Sequence, residues 1–226
     1  MNNLRKAALR RWSKKLKNDL SMIRNDREAL LMKVALCGFL AGDGSVQIRK
    51  EKKEHRYFRY ELFFFPDDDE MLHTYLRFVK EVYNLRPRVI IRDNVYQARL
   101  SQRFIIHDLI NLCKFGVYKW SFPKSLLKTK KAKAIWLRAF YSAEGYVGNK
   151  VIKIQSVNLK SIRKVRRMLK EFGIKSNYCD YKSSNSKHSK VGMIFINQKR
   201  SRMIYFKEIG FWHKRKTKSL KESLGL

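Results

Sequence analysis

Acidic residues are scarce in this 226-residue chain, where 19 Asp and Glu stand against 52 Lys and Arg for a formal charge of +33. A chain so charged repels itself and is drawn to polyanions. Nucleic acid is the first such partner to consider, because neutralising its phosphates releases condensed counterions; an anionic membrane surface is the second. A membrane-spanning role is excluded, since no apolar run reaches the ~18 residues a spanning helix needs. Cysteine is nearly absent. Cys37, Cys113 and Cys179 are scattered and form no CxxC pair, which argues against both a zinc site and a disulfide framework. A reducing compartment fits best, the cytoplasm of a prokaryotic or archaeal cell, with an organelle as the alternative.

What is present excludes simple disorder. The chain is 44% hydrophobic and 13% aromatic, enough for a packed core. Its length suits one large domain or two of roughly 100 residues. From Met1 to Met32, Leu4, Ala8, Trp12, Leu16, Leu20 and Ile23 recur at near-helical spacing among basic residues, so a basic amphipathic helical extension is expected over residues 1–30. A mitochondrial transit peptide is the rival reading, but Asp19, Asp26, Glu28 and the scarcity of serine speak against it.

An internal repeat organises the rest. Leu36-Cys-Gly-Phe-Leu-Ala-Gly-Asp43-Gly44 matches Leu137-Arg-Ala-Phe-Tyr-Ser-Ala-Glu144-Gly145 in its apolar, small and acidic positions. Further on, the run from Gly116 to Leu126 lines up with that from Gly210 to Leu220. The first repeat has the longer hairpin, residues 43–67 against 144–158. In the first repeat, 31–116, an apolar helix ends at Gly44 and strands follow at about 45–52 and 56–65. Asp67 to Asp69 cap a helix to about Asn84. Strands at about 86–92 and 95–101 turn through Asp93-Asn94, and a helix at about 102–114 closes the unit. A linker over 117–130, basic from Lys124 to Lys133, leads to the second repeat, 131–213. There a helix runs from Lys131 to Ala143, a short hairpin turns at Gly148-Asn149, a helix spans Asn158 to Phe172, strands lie near 175–182 and 190–197, and a helix covers 199–209. Residues 214–226 read as a basic C-terminal tail. The expected class is α+β.

Small residues sit four apart in both copies, Gly38 with Gly42 and Ala139 with Ala143, which lets two helix backbones approach closely. If these helices pair about a pseudo-twofold axis, Asp43 and Glu144 arrive side by side at their C-terminal ends. The helix dipole makes that a poor place for a carboxylate. Two carboxylates with terminal carbonyls, from Gly42 and Ala143, instead form an all-oxygen site for Mg²⁺, with Mn²⁺ or Ca²⁺ able to take the same place. Such a site suits phosphodiester hydrolysis. A single acid-glycine pair would read as a mere turn; equivalent pairs in two copies favour the metal site.

The paired segments resemble the LAGLIDADG motif, and the resemblance covers the chain from about Leu31 to Leu220. It implies two pseudo-symmetric αββαββα units with the motif helices packed centrally and two antiparallel sheets forming a DNA-binding saddle. It further implies a monomeric homing endonuclease that cuts both strands of a long asymmetric duplex site across the minor groove and leaves short 3′ overhangs. The eighth motif position, the metal-binding acid, maps to Asp43 and Glu144. The sixth, an acid in the motif's name, is Ala41 and Ser142 here. A polar residue near the end of the second strand is implied at Gln155, but its counterpart in the first repeat falls on about Phe64. A lysine near each repeat's end is also implied, with Lys119 and either Lys214 or Lys216 as candidates. The family also contains intron RNA-splicing maturases and regulators that have lost the acids. Both acids are present here, and no helix-turn-helix segment is evident.

Strand alternation places Val46 and Ile48, and Tyr60, Leu62 and Phe64, toward the helices. Gln47, Arg49 and Glu51, with Arg59 and Glu61, would face outward. Arg88, Arg92, Gln97, Arg99 and Ser101 continue that face. Arginine suits guanine and glutamine adenine at the major-groove edge, so this surface is expected to read bases. In the second repeat Lys153, Lys175, Asn177 and Tyr181 are the weaker candidates. Lysine-rich stretches at 128–133 and 214–218 are expected on phosphates.

Overall fold

A computed structural model of the chain describes residues 21–50, 58–92, 95–182 and 189–226. Both repeats build the same element order. In the first, α1 (Arg27–Asp43) leads into β1 (Gly44–Lys50) and β2 (Phe58–Phe64), followed by α2 (Asp69–Tyr83), β3 (Arg88–Arg92), β4 (Val95–Leu100) and α3 (Arg103–Leu112). In the second, α4 (Lys130–Glu144) is followed by β5 (Tyr146–Gly148), β6 (Val151–Ser156), α5 (Leu159–Glu171), β7 (Asn177–Tyr181), β8 (Val191–Ile196) and α6 (Lys199–Glu208). The strands form two antiparallel sheets of the same topology, ordered β1-β2-β4-β3 and β5-β6-β8-β7. This is the expected α+β arrangement.

Helix starts follow from side-chain capping. The Asp26 carboxylate accepts the backbone N–H groups of Glu28 and Ala29, both at 3.0 Å, so α1 begins there. Ile23 is buried just before it, and the Arg24 N–H donates to the Val82 carbonyl at 3.0 Å. The helix expected from Met1 to Met32 therefore breaks ahead of Asp26; residues 1–20, Glu51 and the Asp93-Asn94 turn lie outside the described residues. Asp68 caps α2 and Asn158 caps α5 in the same manner.

The motif helices α1 and α4 form the centre and make the most extensive contact between any two helices. Leu36, Cys37, Phe39 and Leu40 on α1, and Trp136, Leu137, Phe140 and Tyr141 on α4, are fully buried. A helix that is apolar all round needs partners on every side, and each finds them in its own sheet and in the other helix. The small residues set the separation. A Cβ on Gly38 would stand 2.7 Å from the Trp136 carbonyl oxygen, and one on Gly42 would stand 2.5 Å from the Ala143 Cβ.

Each repeat then sends a C-terminal arm across to the other. After α3 the chain reverses at Gly116, φ 107°, and Trp120 stacks on Trp136 and packs on Phe140 of α4. The Trp120 carbonyl accepts from Asn158 Nδ2 at 2.8 Å and Ser161 Oγ at 3.0 Å. After α6 the chain reverses at Gly210, φ 66°, and Trp212 packs on Phe39 and Phe78 of the first repeat. Residues 117–130 are thus a packed brace as well as a connection. Where the sequence reading has a basic tail, a further helix forms, α7 (Lys214–Leu224). It buries Leu220 and Leu224 and ends on Gly225 in the left-handed region. The short hairpin also differs by one residue. Gly148 pairs with Val151, so the turn is made by Asn149 and Lys150, the latter at φ 64°.

Candidate active site

Asp43 and Glu144 are the last residues of α1 and α4, each followed by a glycine. At this crossing a Cβ on Gly42 would lie 3.0 Å from the Glu144 Cγ, so the second acid abuts the backbone just ahead of the first. The electrostatics record the crowding. Burial and then the neighbouring Glu144 push the Asp43 carboxyl up to about 7, with Lys216 pulling the other way. Glu144 is likewise raised by loss of hydration and lowered by Lys216. It is the more solvent-open of the two. Two acids at two helix C-termini face the negative ends of both dipoles, and such a site is favourable only with added positive charge.

Part of that charge is Lys216, from the first turn of α7. Its ammonium donates to the carbonyl oxygens of Ser142 at 2.5 Å and Ala143 at 2.9 Å. Burial lowers its pKa, while Asp67, Asp43 and Glu144 support the charged form. The arm that delivers it is fastened to the first repeat. His213 is almost fully buried, with its ring nitrogens 3.2 Å from the carboxylates of Asp67 and Asp68. The Lys214 N–H donates to Asp68 at 3.2 Å. On the other side Ser142 Oγ accepts the Trp212 N–H at 2.7 Å, so the sixth motif position, where the motif has an acid, here pins the crossing arm.

The expected residues separate into those the fold brings to the acids and those it does not. Tyr146 pairs with Lys153, a register that puts Gln155 across from Glu144. Both line a cleft with Ala41, Gly42, Gly116 and Trp120. The matching position in the first repeat is Phe65, whose N–H donates to the Asp43 carbonyl at 3.0 Å. It lies one residue beyond the expected Phe64, which is core. One acid therefore has an amide beside it and the other an aromatic ring. Lys119 is exposed on the turn that edges the cleft, and Lys214 is exposed on α7. Lys216 is the lysine whose charge acts on both carboxylates, from its place on the Ser142 and Ala143 carbonyls.

Asp43 and Glu144, the acids expected to bind metal, end the two motif helices, while the Ala143 carbonyl already accepts from Lys216. Among the described residues no three His, Cys, Asp or Glu side chains gather as a metal cluster. Two carboxylates would then be completed by carbonyl, solvent or phosphate oxygens. That composition suits Mg²⁺, which keeps several waters, and not zinc.

The sheet faces turned away from the helices are set by register. On the first, Arg49 stands directly opposite Arg59 and Arg88 directly opposite Arg99; Gln47 and Gln97 share the face. Like charges across strands destabilise a sheet. Glu61 partly offsets them, 2.6 Å from Arg99 Nη2 and 3.3 Å from Arg59 Nη2. It is 7% exposed, so it holds the arginines from beneath and is not open to a base. The Arg92 side chain lies outside the described residues. On the second sheet the same face carries Tyr146, Lys153, Gln155, Asn177, Cys179 and Tyr181, with Val151, Met193 and Phe195 between them. Lys175 precedes β7 and lines a basic hollow with Arg166, Arg167 and Lys170.

Residues 131–210 match the family model of the LAGLIDADG-like domain. No curated protein sequence matches the chain. Among solved structures, I-DmoI in complex with DNA and Mn is similar at a TM-score of 0.64 and 17% identity, over 80% of this chain and 97% of that one. Full-length DUF199/WhiA from Thermatoga maritima is similar at 0.58 and 12% identity, over 93% of this chain and 65% of that one. The N-terminal LAGLIDADG domain of DUF199/WhiA is similar at 0.55 and 12% identity, over 88% and 89% respectively. At these identities the likeness is one of fold. The second repeat is similar to the LAGLIDADG-like domain, and the chain as a whole shares the fold of these LAGLIDADG structures.

Proposed function

We propose that the protein is a homing endonuclease, a metal-dependent enzyme that hydrolyses both strands of duplex DNA at a long asymmetric site and leaves short 3′ overhangs. The observation that carries this reading is that Asp43 and Glu144 end the two packed motif helices with the Lys216 ammonium held on the Ser142 and Ala143 carbonyls beside them. Cross-strand arginine pairs on the adjoining sheet support it, because their repulsion is relieved by phosphate. The similar I-DmoI structures are complexes with DNA that contain Mn, Mg or Ca, which supports a divalent cation, Mg²⁺ first, at the same helix ends.

Asp43 and Glu144 would hold the cation, which when bound supplies Lewis-acid stabilisation of the phosphate and acidifies water. The chain's own groups do the rest. Lys216 places a fixed positive charge beside the site of phosphodiester cleavage, in a partly dehydrated pocket where such charge is worth more than in water. Gln155 offers an amide on the Glu144 side to orient a phosphate or water. The sheets bind the duplex and fix its register against the acids. Both acids are on one chain, so a monomer suffices, and the non-identical repeats favour a target with imperfect twofold symmetry.

Incubation with Mg²⁺ and a library of candidate insertion sites tests the proposal, the expected result being double-strand cleavage at one site. Absence of cleavage with specific binding retained would overturn it. Tight binding to an intron transcript in place of duplex DNA would support the alternative, an RNA-splicing maturase, for which the paired acids have no use.

A further inference from the structure

The two saddle faces differ in chemistry. Facing away from the helices, the described part of the first sheet presents Arg49, Arg59, Arg88 and Arg99 with Gln47 and Gln97, and Phe63, Ile90 and Val95 lie among them. Among its described residues the second presents no arginine. Its one cation, Lys153, holds its ammonium 5.8 Å over the Phe195 ring, drawn onto the sheet. Around it Val151, Met193 and Phe195 are only partly covered, and Tyr146 and Tyr181 are 60% and 56% exposed. Asn177 adds an exposed amide.

We infer that the repeats read flanks of opposite composition: the first sheet a guanine-rich flank, the second an A·T-rich flank through thymine methyl groups and adenine. This rests on the duplex-DNA reading above and specifies its substrate. A guanidinium matches the paired acceptors O6 and N7 of guanine, and an amide matches N7 and N6 of adenine. An apolar sheet face laid into the major groove finds one apolar group there, the C5 methyl of thymine. Val151, Met193 and Phe195 on adjacent strands can meet such methyls, and Asn177 can bond the adenine paired with one. The four arginines cannot serve an A·T flank equally well, because neither base of that pair offers two acceptors to a guanidinium fork. The same aromatic residues could stack on unpaired RNA bases instead; the flat, four-stranded faces of matching topology in both repeats favour one continuous duplex over both.

The test uses the full chain in EDTA with a pool of randomised duplexes, followed by sequencing of the bound fraction. The expected consensus has guanines on one side of its centre and A·T pairs on the other. Replacing thymines of the A·T flank by deoxyuridine, which removes only the methyl, should weaken binding about fourfold per contacted methyl. The same replacement in the guanine flank, where arginine contacts dominate, should weaken binding at fewer positions. In a Met193→Ser chain the deoxyuridine penalty should vanish at one or more positions, which assigns the flank to the second sheet. Flanks of equal composition, or deoxyuridine without effect, would overturn the inference while upholding duplex recognition. Failure of any duplex to be enriched, with enrichment from a single-stranded RNA pool, would overturn both.

Discussion

The ammonium of Lys216 donates to the carbonyl oxygen of Ala143 at 2.9 Å, one residue ahead of Glu144. A cation contributed by the last helix therefore already sits at the negative end of α4, between the acids and the arm that anchors it. The backbone N–H of Lys214, two positions earlier, is spent on Asp68. Which lysine serves the site is decided by where α7 begins.

If Lys216 supplies charge to the reacting phosphate, Lys216→Met should lower the single-turnover cleavage rate by about 10²-fold or more. Affinity for the target should change only a few fold, since phosphate contacts elsewhere carry the binding. Gel-shift and cleavage assays on one substrate separate the two. Cleavage at the parental rate would remove Lys216 from the machinery.

Asp43 has a carboxyl raised from 3.8 to about 7. The folded state therefore keeps a proton that the unfolded chain gives up, and stability in chelator falls as pH rises from about 4 through about 7. Asp43→Asn removes this penalty. Its Tm in EDTA at pH 8 should exceed the parent's by about 2 °C or more, with the pH dependence flattened, while cleavage is lost. An unchanged pH profile would show that neither burial nor Glu144 raises the Asp43 carboxyl.

Glu61 holds Arg59 and Arg99 from beneath. In Glu61→Gln the 2.6 Å ion pair that holds Arg99 is lost and the face gains net positive charge. Specific affinity should drop about tenfold, while affinity for random duplex is held or raised. Titrations of both duplexes at two salt concentrations read the ratio. A parallel loss on both duplexes would indicate a general loss of fold.

Gly42 faces Ala143 across the helix crossing. Gly42→Ala would drive a methyl into that contact and should cost about 1–3 kcal/mol, read as a lower midpoint in urea. Cleavage should fall by more than stability explains, because the same displacement separates Asp43 from Glu144. A variant as stable and active as the parent would mean that the crossing has slack.

Much of this molecule is legible from local pattern. The repeated apolar-and-small segment is visible because its spacing is that of a helix face. Asp43 and Glu144 are identifiable because each ends such a segment just before a glycine, and strand alternation assigns Arg49 and Arg59 to one side. These depend on neighbours within a few residues, where backbone geometry leaves few choices. Lys216, the burial of Glu61 and the place of Phe65 beside Asp43 are not visible in that way. Lys216 reaches the acids only because Trp212 and His213 lock the last arm onto the opposite repeat. Glu61 is covered only once β4 brings Arg99 alongside β2. The sequence determined two similar units, each with an acid at a helix end. The crossing of their arms, set by packing between residues far apart in the chain, decided which lysine and which strand residues attend those acids.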